Sequence, residues 1–314
     1  MEAPFCSKLL NSYDYHNVDL TSFCIPFEVD EETLAESLLF VRKKYARLEP
    51  VRVVEKGDFA VLSCKSEKAK FQKDAVSVCV GKNLYSKELE EKLIGLSAGE
   101  TVEVEVDSTV VTVTVKNIQR SVLPDITDDF VNSTFETLTT VSELKEWYIN
   151  EQLKEHIKIL ASQAAEAITA EVIAQSDICL DEEERLAARK SGEEVLRAHW
   201  RFNGVELDSL TDEEAAEMFG YPSVSAYINW FADLSERDIC TAMLGYELLA
   251  NGGYVFTTAE YEAELQKNAD EANMSAEALR ENFTFQAFVR QKSSEYYSEV
   301  LEDYAYNYIK ERLK

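Results

Sequence analysis

No stretch of these 314 residues approaches 18 consecutive apolar positions, which excludes a membrane-spanning helix. The opening MEAPFCSKLL has neither a basic n-region nor a long apolar run, so the chain as written is expected in the cytoplasm. Six scattered cysteines (Cys6, Cys24, Cys64, Cys79, Cys179 and Cys240) include no Cys-x-x-Cys pair, and so offer neither a zinc site nor a thioredoxin-like motif. They read as idle or buried thiols of a reducing compartment. His16, His156 and His199 are isolated from one another and from the cysteines. A metal site, a Ser/His/Asp constellation and a Gly-rich phosphate loop are all missing, so no catalytic residue, metal or cofactor is expected.

Positive charge is scarce as well. The net charge of −27 is uneven: residues 52–120 carry 11 Lys/Arg against 11 Asp/Glu, whereas residues 121–314 carry 16 against 39. Such acidity argues against nucleic-acid binding, which needs Lys/Arg to displace counterions. It keeps a partly apolar surface soluble, and a solvated helical surface is its plainest reading.

What is present divides at the same places. In residues 31–48, Leu34, Leu38, Val41, Tyr45 and Leu48 recur at steps of four and three, an amphipathic helix capped by Asp30 and stopped by Pro50. After it the period becomes two. A turn at Lys56-Gly57-Asp58 leads into one strand, and AVSVCVG forms another. Val102, Val104 and Val106 alternate with Glu103 and Glu105, then Val111, Val113 and Val115 with Thr112 and Thr114, joined by a short hairpin at 107–109.

From Leu123 onward the reading is helical, with LPDITDDF as an extended connector. Thr140-x-x-Glu143, Thr211-x-x-Glu214 and Thr257-x-x-Glu260 each repeat a helix-start signature. Leu153, Ile157, Leu160, Ala164 and Ile168 form a stripe on the first of these helices, with Val172 near its end. Asn251-Gly252-Gly253 ends a helix over about 223–250, and a tyrosine-rich helix spans roughly 284–313. On that helix Tyr297, Val300, Leu301, Tyr304 and Tyr308 are expected to pack, leaving Tyr296 and Tyr306 as candidates for exposed positions that meet other chains. Phe283, Phe285 and Phe288 are expected in the core, as are Trp147, Trp200 and Trp230.

Three stretches carry a family resemblance. ELEEKLIGLSAGE (88–100), VTVTVKNIQRSVLPDITDDFV (111–131) and FEVDEETLAESLLFVRKKYARLEPVRVVEKGDFAVL (27–62) resemble trigger factor, the ribosome-associated chaperone with an FKBP-type prolyl isomerase domain. The resemblance runs from about residue 28 to the end, is densest over 88–135, and beyond 180 is mainly one of helix pattern. It implies an α+β multidomain protein. A small antiparallel FKBP-like sheet with a short helix occupies 51–120, after an N-terminal segment and linker helix over 1–50. A large all-α domain with helical arms occupies 121–314. Conventional members dock on the ribosome through an N-terminal domain bearing a Gly-Phe-Arg-x-Gly-Lys loop. Nothing before residue 28 supplies it, so docking by that route is not expected.

An FKBP-type isomerase lowers the prolyl barrier, ~18–20 kcal/mol for a peptide bond, by holding proline in an aromatic-walled pocket. Here the family's pocket positions fall on Cys64, Phe71, Tyr85, Ser86, Leu89 and Val111, and the flap shrinks to residues 107–109. Phe71 keeps one aromatic wall, but Cys64, Ser86, Leu89 and Val111 replace what the family places there, so this domain is expected to fold without a working site. The resemblance then assigns function to the helical part, which would hold unfolded or nascent polypeptides through dispersed apolar patches. An adaptor for one specific partner and an active isomerase are the alternatives. A homodimer is open, since free members of the family self-associate.

Overall fold

A computed structural model describes residues 4–84, 86–106 and 108–313. The first part of the chain runs β1 (Lys8–Asn11), α1 (Glu31–Lys44), β2 (Arg47–Pro50), β3 (Phe59–Lys65), β4 (Lys73–Cys79) and α2 (Lys87–Leu93). There follow β5 (Thr101–Val106), β6 (Thr109–Val122), α3 (Asp128–Thr134), α4 (Val141–Gln175) and β7 (Asp177–Cys179). Helices complete it: α5 (Glu182–Phe202), α6 (Asp212–Phe219), α7 (Val224–Asn251), α8 (Thr258–Glu271), α9 (Ala276–Arg280) and α10 (Phe285–Arg312). This is the expected α+β class.

Internal contacts divide the chain into Glu28–Leu153 and a second unit made of Met1–Phe27 with Lys154–Lys314. That grouping differs from the three-part division read from the sequence. The boundary falls inside α4, and residues 121–153 join the sheet rather than the helices. Side chains account for it. Arg42 Nε on α1 donates to the Pro124 carbonyl at 2.8 Å, and the Tyr45 ring meets Phe130 and Phe135 edge-on.

In the sheet unit, the 14-residue β6 is the spine. It pairs antiparallel with β3 along one side; along the other, β5 takes its first half and β2 its last four residues. β4 extends the sheet from β3. Alternation does what the pattern predicts: Val111, Val113 and Val115 are buried with Val104, Leu62 and Ile118, while Val110 on the other face is exposed. Asp30 caps α1 by accepting from Thr33 N–H at 2.6 Å. The helix stops at Lys44, however, and Leu48 is an exposed strand residue rather than the end of a helical stripe. Pro50 favours extended backbone before it, and the free edge of β6 supplies the ladder. The last three residues of the expected connector, 128–130, instead open the helix α3, capped by Thr127.

In the helical unit, α7 packs against α5 on one side and α10 on another. A glycine sits at each approach. A methyl at Gly192 of α5 would land on the Ser235 hydroxyl of α7, and one at Gly245 of α7 on the Ser293 carbonyl of α10. The three start signatures all open helices. Glu143 N–H donates to Thr140 Oγ1 at 3.2 Å with the reciprocal bond at 3.1 Å, and α6 and α8 carry complete boxes at Thr211/Glu214 and Thr257/Glu260. Phe288, Tyr297, Leu301, Ala305 and Ile309 form the buried stripe of α10. Two departures stand out. The three-residue β7 interrupts the helical region and pairs with β1, some 170 residues away. Trp147 and Trp230 are exposed, at 43% and 41%, and Trp200 is half-buried, so the tryptophans are not core residues.

Candidate functional site

Of the positions expected to line a pocket, Cys64, Phe71, Leu89 and Val111 come together in the sheet unit as core filling. Cys64 lies on β3 opposite Val113, Phe71 on a short turn before β4, and Val111 on β6 opposite Val104. Leu89 on α2 and Val111 are members of the buried cluster, and Cys64 and Phe71 pack against it. Ser86 is the N-cap of α2: its Oγ accepts from Leu89 N–H at 3.4 Å. That bond satisfies one of the helix's unpaired donors and turns Leu89 inward. Burial pushes the Cys64 thiol up from its ordinary pKa. Tyr85 lies outside the described residues. A hollow of about 630 Å³ at the hairpin end is bounded by Lys65, Ser66, Lys68, Ser108, Thr109 and Thr112 among others, and by none of the described pocket positions.

Two buried carboxylates brace this unit, and no pattern in the sequence marks them. Asp58, 1% exposed, takes a bidentate pair from Arg120 at 2.7 and 2.9 Å and a bond from Glu55 N–H. The Arg120 guanidinium holds its pKa below the usual carboxylate value. Glu90 on α2, also 1% exposed, accepts from Gly81 N–H and Asn83 N–H at 2.7 Å each. It fastens the loop that leads into α2.

The helical unit keeps its apolar surface open. A hollow of about 660 Å³ lies among α8, α10 and the end of α7, with Leu249, Tyr254, Phe256, Phe288 and Tyr296 in its walls. The Lys292–Glu264 ion pair (3.1 Å) stands at its side. Tyr254 hydrogen-bonds Glu260, and that bond, with burial, raises the phenol pKa. Tyr296 is exposed here as expected. Tyr306 is half-buried beneath Lys310 and is not part of this hollow. Tyr297, one residue on, is buried, and burial raises its pKa.

A second apolar surface gathers at the far end of α5. Trp200, Phe219, Tyr227, Tyr221 and Trp230 form a run of ring contacts 4.4–5.9 Å apart, and Trp200 Nε1 donates to the Tyr227 hydroxyl. Phe202 beside Trp200 in sequence is 91% exposed, and Met218 is 49% exposed. Sequence reading missed this group because its members come from three helices and the loop that joins two of them. The spacing Trp200, Phe202 and Phe219, Tyr221 around a Gly-containing loop was the available signal.

Among the described residues, no group of His, Cys, Asp and Glu is arranged to hold a metal ion. No described helix is long and apolar enough to cross a membrane. The two regions define an α+β protein with a filled sheet core and an apolar, acidic helical surface. In sequence the chain is similar to several trigger factors. It is 26% identical over 223 residues to a trigger factor of Streptococcus agalactiae, covering 66% of this chain and 50% of that protein. To one from Pelotomaculum thermopropionicum it is 25% identical over 319 residues (88% and 68%), and to one from Trichlorobacter lovleyi 32% over 160 (42% and 36%). The chain thus spans about half the length of the Streptococcus relatives. No protein-family model matches it. A solved structure described as "Promiscuous Substrate Recognition in Folding and Assembly Activities of the Trigger Factor Chaperone" covers 98% of this chain and 73% of its own, at 15% identity and a TM-score of 0.48. An overlap that loose has no bearing on function.

Proposed function

We propose that this protein is a cytoplasmic, trigger-factor-like chaperone that holds unfolded or partly folded polypeptides on its helical unit, and that its FKBP-like sheet unit does not isomerise prolyl bonds. The observation that carries the reading is the set of large apolar side chains left open on the helical unit: Phe202, Met218, Trp230, Tyr254 and Tyr296. Single exposed apolar residues are ordinary; two groups of them beside ring stacks and hollows are surfaces for other chains. Each client side chain that covers such a surface leaves water at ~25 cal/mol per Å² of apolar area, so several shallow contacts suffice. Tyrosine and tryptophan suit a surface that is wet when empty and apolar when filled. The helical unit's 35 acidic residues against 16 basic ones keep these surfaces from pairing with one another.

The isomerase reading needs ring faces around a cavity, and Leu89 and Val111 sit in the core instead. The test is one sample in two assays. Suppression of aggregation of several unrelated denatured proteins, with no acceleration of prolyl isomerisation in a proline tetrapeptide, is expected. A single stoichiometric partner without aggregation suppression would favour an adaptor. Isomerase activity well above background, abolished by Leu93→Asp, would restore the enzyme.

A further inference from the structure

Residues 4–7 bend along the helical unit and run into the strand β1, and the segment is held chiefly at one point. Ser7 N–H donates to Glu184 Oε2 at 2.7 Å, and Ser7 Oγ accepts from Asp181 N–H at 2.9 Å. Arg290 of α10 pairs with the other oxygen of Glu184 and donates through Nε to the Pro4 carbonyl at 2.8 Å. Its guanidinium also stands over the Phe5 ring, which meets Tyr246 of α7 edge-on at 5.9 Å. Pro4 forms one wall of a hollow of about 430 Å³ whose other walls include Tyr246, Tyr254, Phe256, Phe285 and Val289.

Beyond the latch the hold is slight. β1 pairs only with the three residues of β7, a two-stranded ladder that is marginal by itself, and Leu10 is 72% exposed. Further along, the chain is anchored again. Tyr13 N–H donates to Ser176 Oγ, the Tyr15 ring meets Tyr304, and Leu20 is fully buried.

What lies beneath the segment reads backbone and one ring. Glu184 accepts an amide N–H, Arg290 donates to a carbonyl, β7 offers a strand edge, and Tyr246 with Arg290 makes an aromatic seat. Apart from the Ser7 hydroxyl, which accepts from Asp181 N–H, no contact here depends on the identity of residues other than Phe5. We propose that this surface is a strand-addition site for an extended polypeptide segment bearing an aromatic side chain, and that Pro4–Asn11 occupies it in cis as a displaceable strap. The proposal rests on the polypeptide-binding reading above and adds to it a defined site and its regulation. A tethered competitor acts at an effective concentration near millimolar, and it weakens apparent affinity by the fraction of molecules with the site open.

The test uses the full chain and a fluorescein-labelled peptide of residues 4–11 carrying Cys6→Ser. A release variant, Phe5→Ser with Ser7→Pro and Leu9→Pro, removes the ring, the latch and the ladder without touching the site. Fluorescence anisotropy is expected to show at least tenfold tighter binding to the release variant than to the wild type. A Phe5→Ala peptide is expected to lose at least fivefold, and so is Arg290→Met placed in the release background. Equal binding by the wild type and the release variant, or no loss with Arg290→Met, overturns the strap. Aggregation suppression by the wild type is scored separately. Tight peptide binding without suppression sinks the chaperone reading alone, and suppression with equal peptide binding sinks the strap alone.

Discussion

The sheet unit and the helical unit treat the same kinds of side chain in opposite ways. In the sheet unit, Leu89 and Val111, two positions expected to line a pocket, are packed away with Cys64 and Phe71 against them. In the helical unit, Trp230, whose size argues for the core, stays exposed, and Phe202 is almost bare. The difference is one of geometry. A strand surface has a fixed pleat, and once one face is covered every second residue is committed to the core. Helices meet along narrow seams, and a ring that lies off the seam remains on the surface.

The strongest way to break that comparison is Leu89→Ala. If Leu89 walled an open site, truncation would be nearly neutral. As core, it is expected to lower the stability of the sheet unit by about 3 kcal/mol, the transfer and cavity cost of a buried leucine. Urea unfolding with an unchanged m-value reads the difference, and a loss below about 1 kcal/mol would mean the position is a pocket wall.

Asp58→Asn comes next, at about 2 kcal/mol, because Arg120 loses its pairing with Asp58 but keeps Glu55 and stays partly in water. The pH dependence has a definite sign. The Asp58 pKa is depressed in the folded protein, so its contribution is complete above the unfolded value of about 3.9 and is lost as pH falls through the lower folded value. Below about pH 4 the wild type is expected to lose stability more steeply than Asp58→Asn. Parallel curves would show that the pair contributes nothing.

Gly245→Ala tests the helical seam. Alanine favours a helix over glycine by ~1 kcal/mol, but the methyl meets a backbone carbonyl of α10 that cannot rotate aside. The clash is expected to win, with a net loss of about 1–2 kcal/mol in the helical unit. A stabilised variant would show that the α7–α10 seam gives way easily.

Much of this division was legible in residue order, and the exceptions share a cause. Helix starts at Thr211 and Thr257 and the end at Gly252 are local events, signalled within four residues. The alternation of β5 and β6 is local too. Three things depend on partners that sequence order hides. β1 finds β7 across some 170 residues, Leu48 leaves its helix for the last turn of β6's ladder, and Asp58 is buried by an arginine 62 positions away. At the candidate sites, Tyr296 was legible because a tyrosine pair cannot put both rings into one seam. The Trp200–Trp230 stack was not, since its rings belong to α5, α6 and α7.

Phe202→Ser gives the smallest expected change in stability and bears most on function. At 91% exposure the ring makes little buried contact, so its loss is expected to move the unfolding midpoint by no more than the equivalent of about 0.5 kcal/mol. A ring that serves the core cannot be removed so cheaply, and a ring that serves clients should be missed only when clients are present. Aggregation suppression is therefore expected to fall about twofold at fixed chaperone concentration, and further when Tyr296→Ser is added, because dispersed contacts contribute in parts. A double variant that is fully stable and fully active would place client binding elsewhere on the molecule. One that is destabilised by 2 kcal/mol or more would mean these rings belong to the core, and the contrast between the two units would collapse.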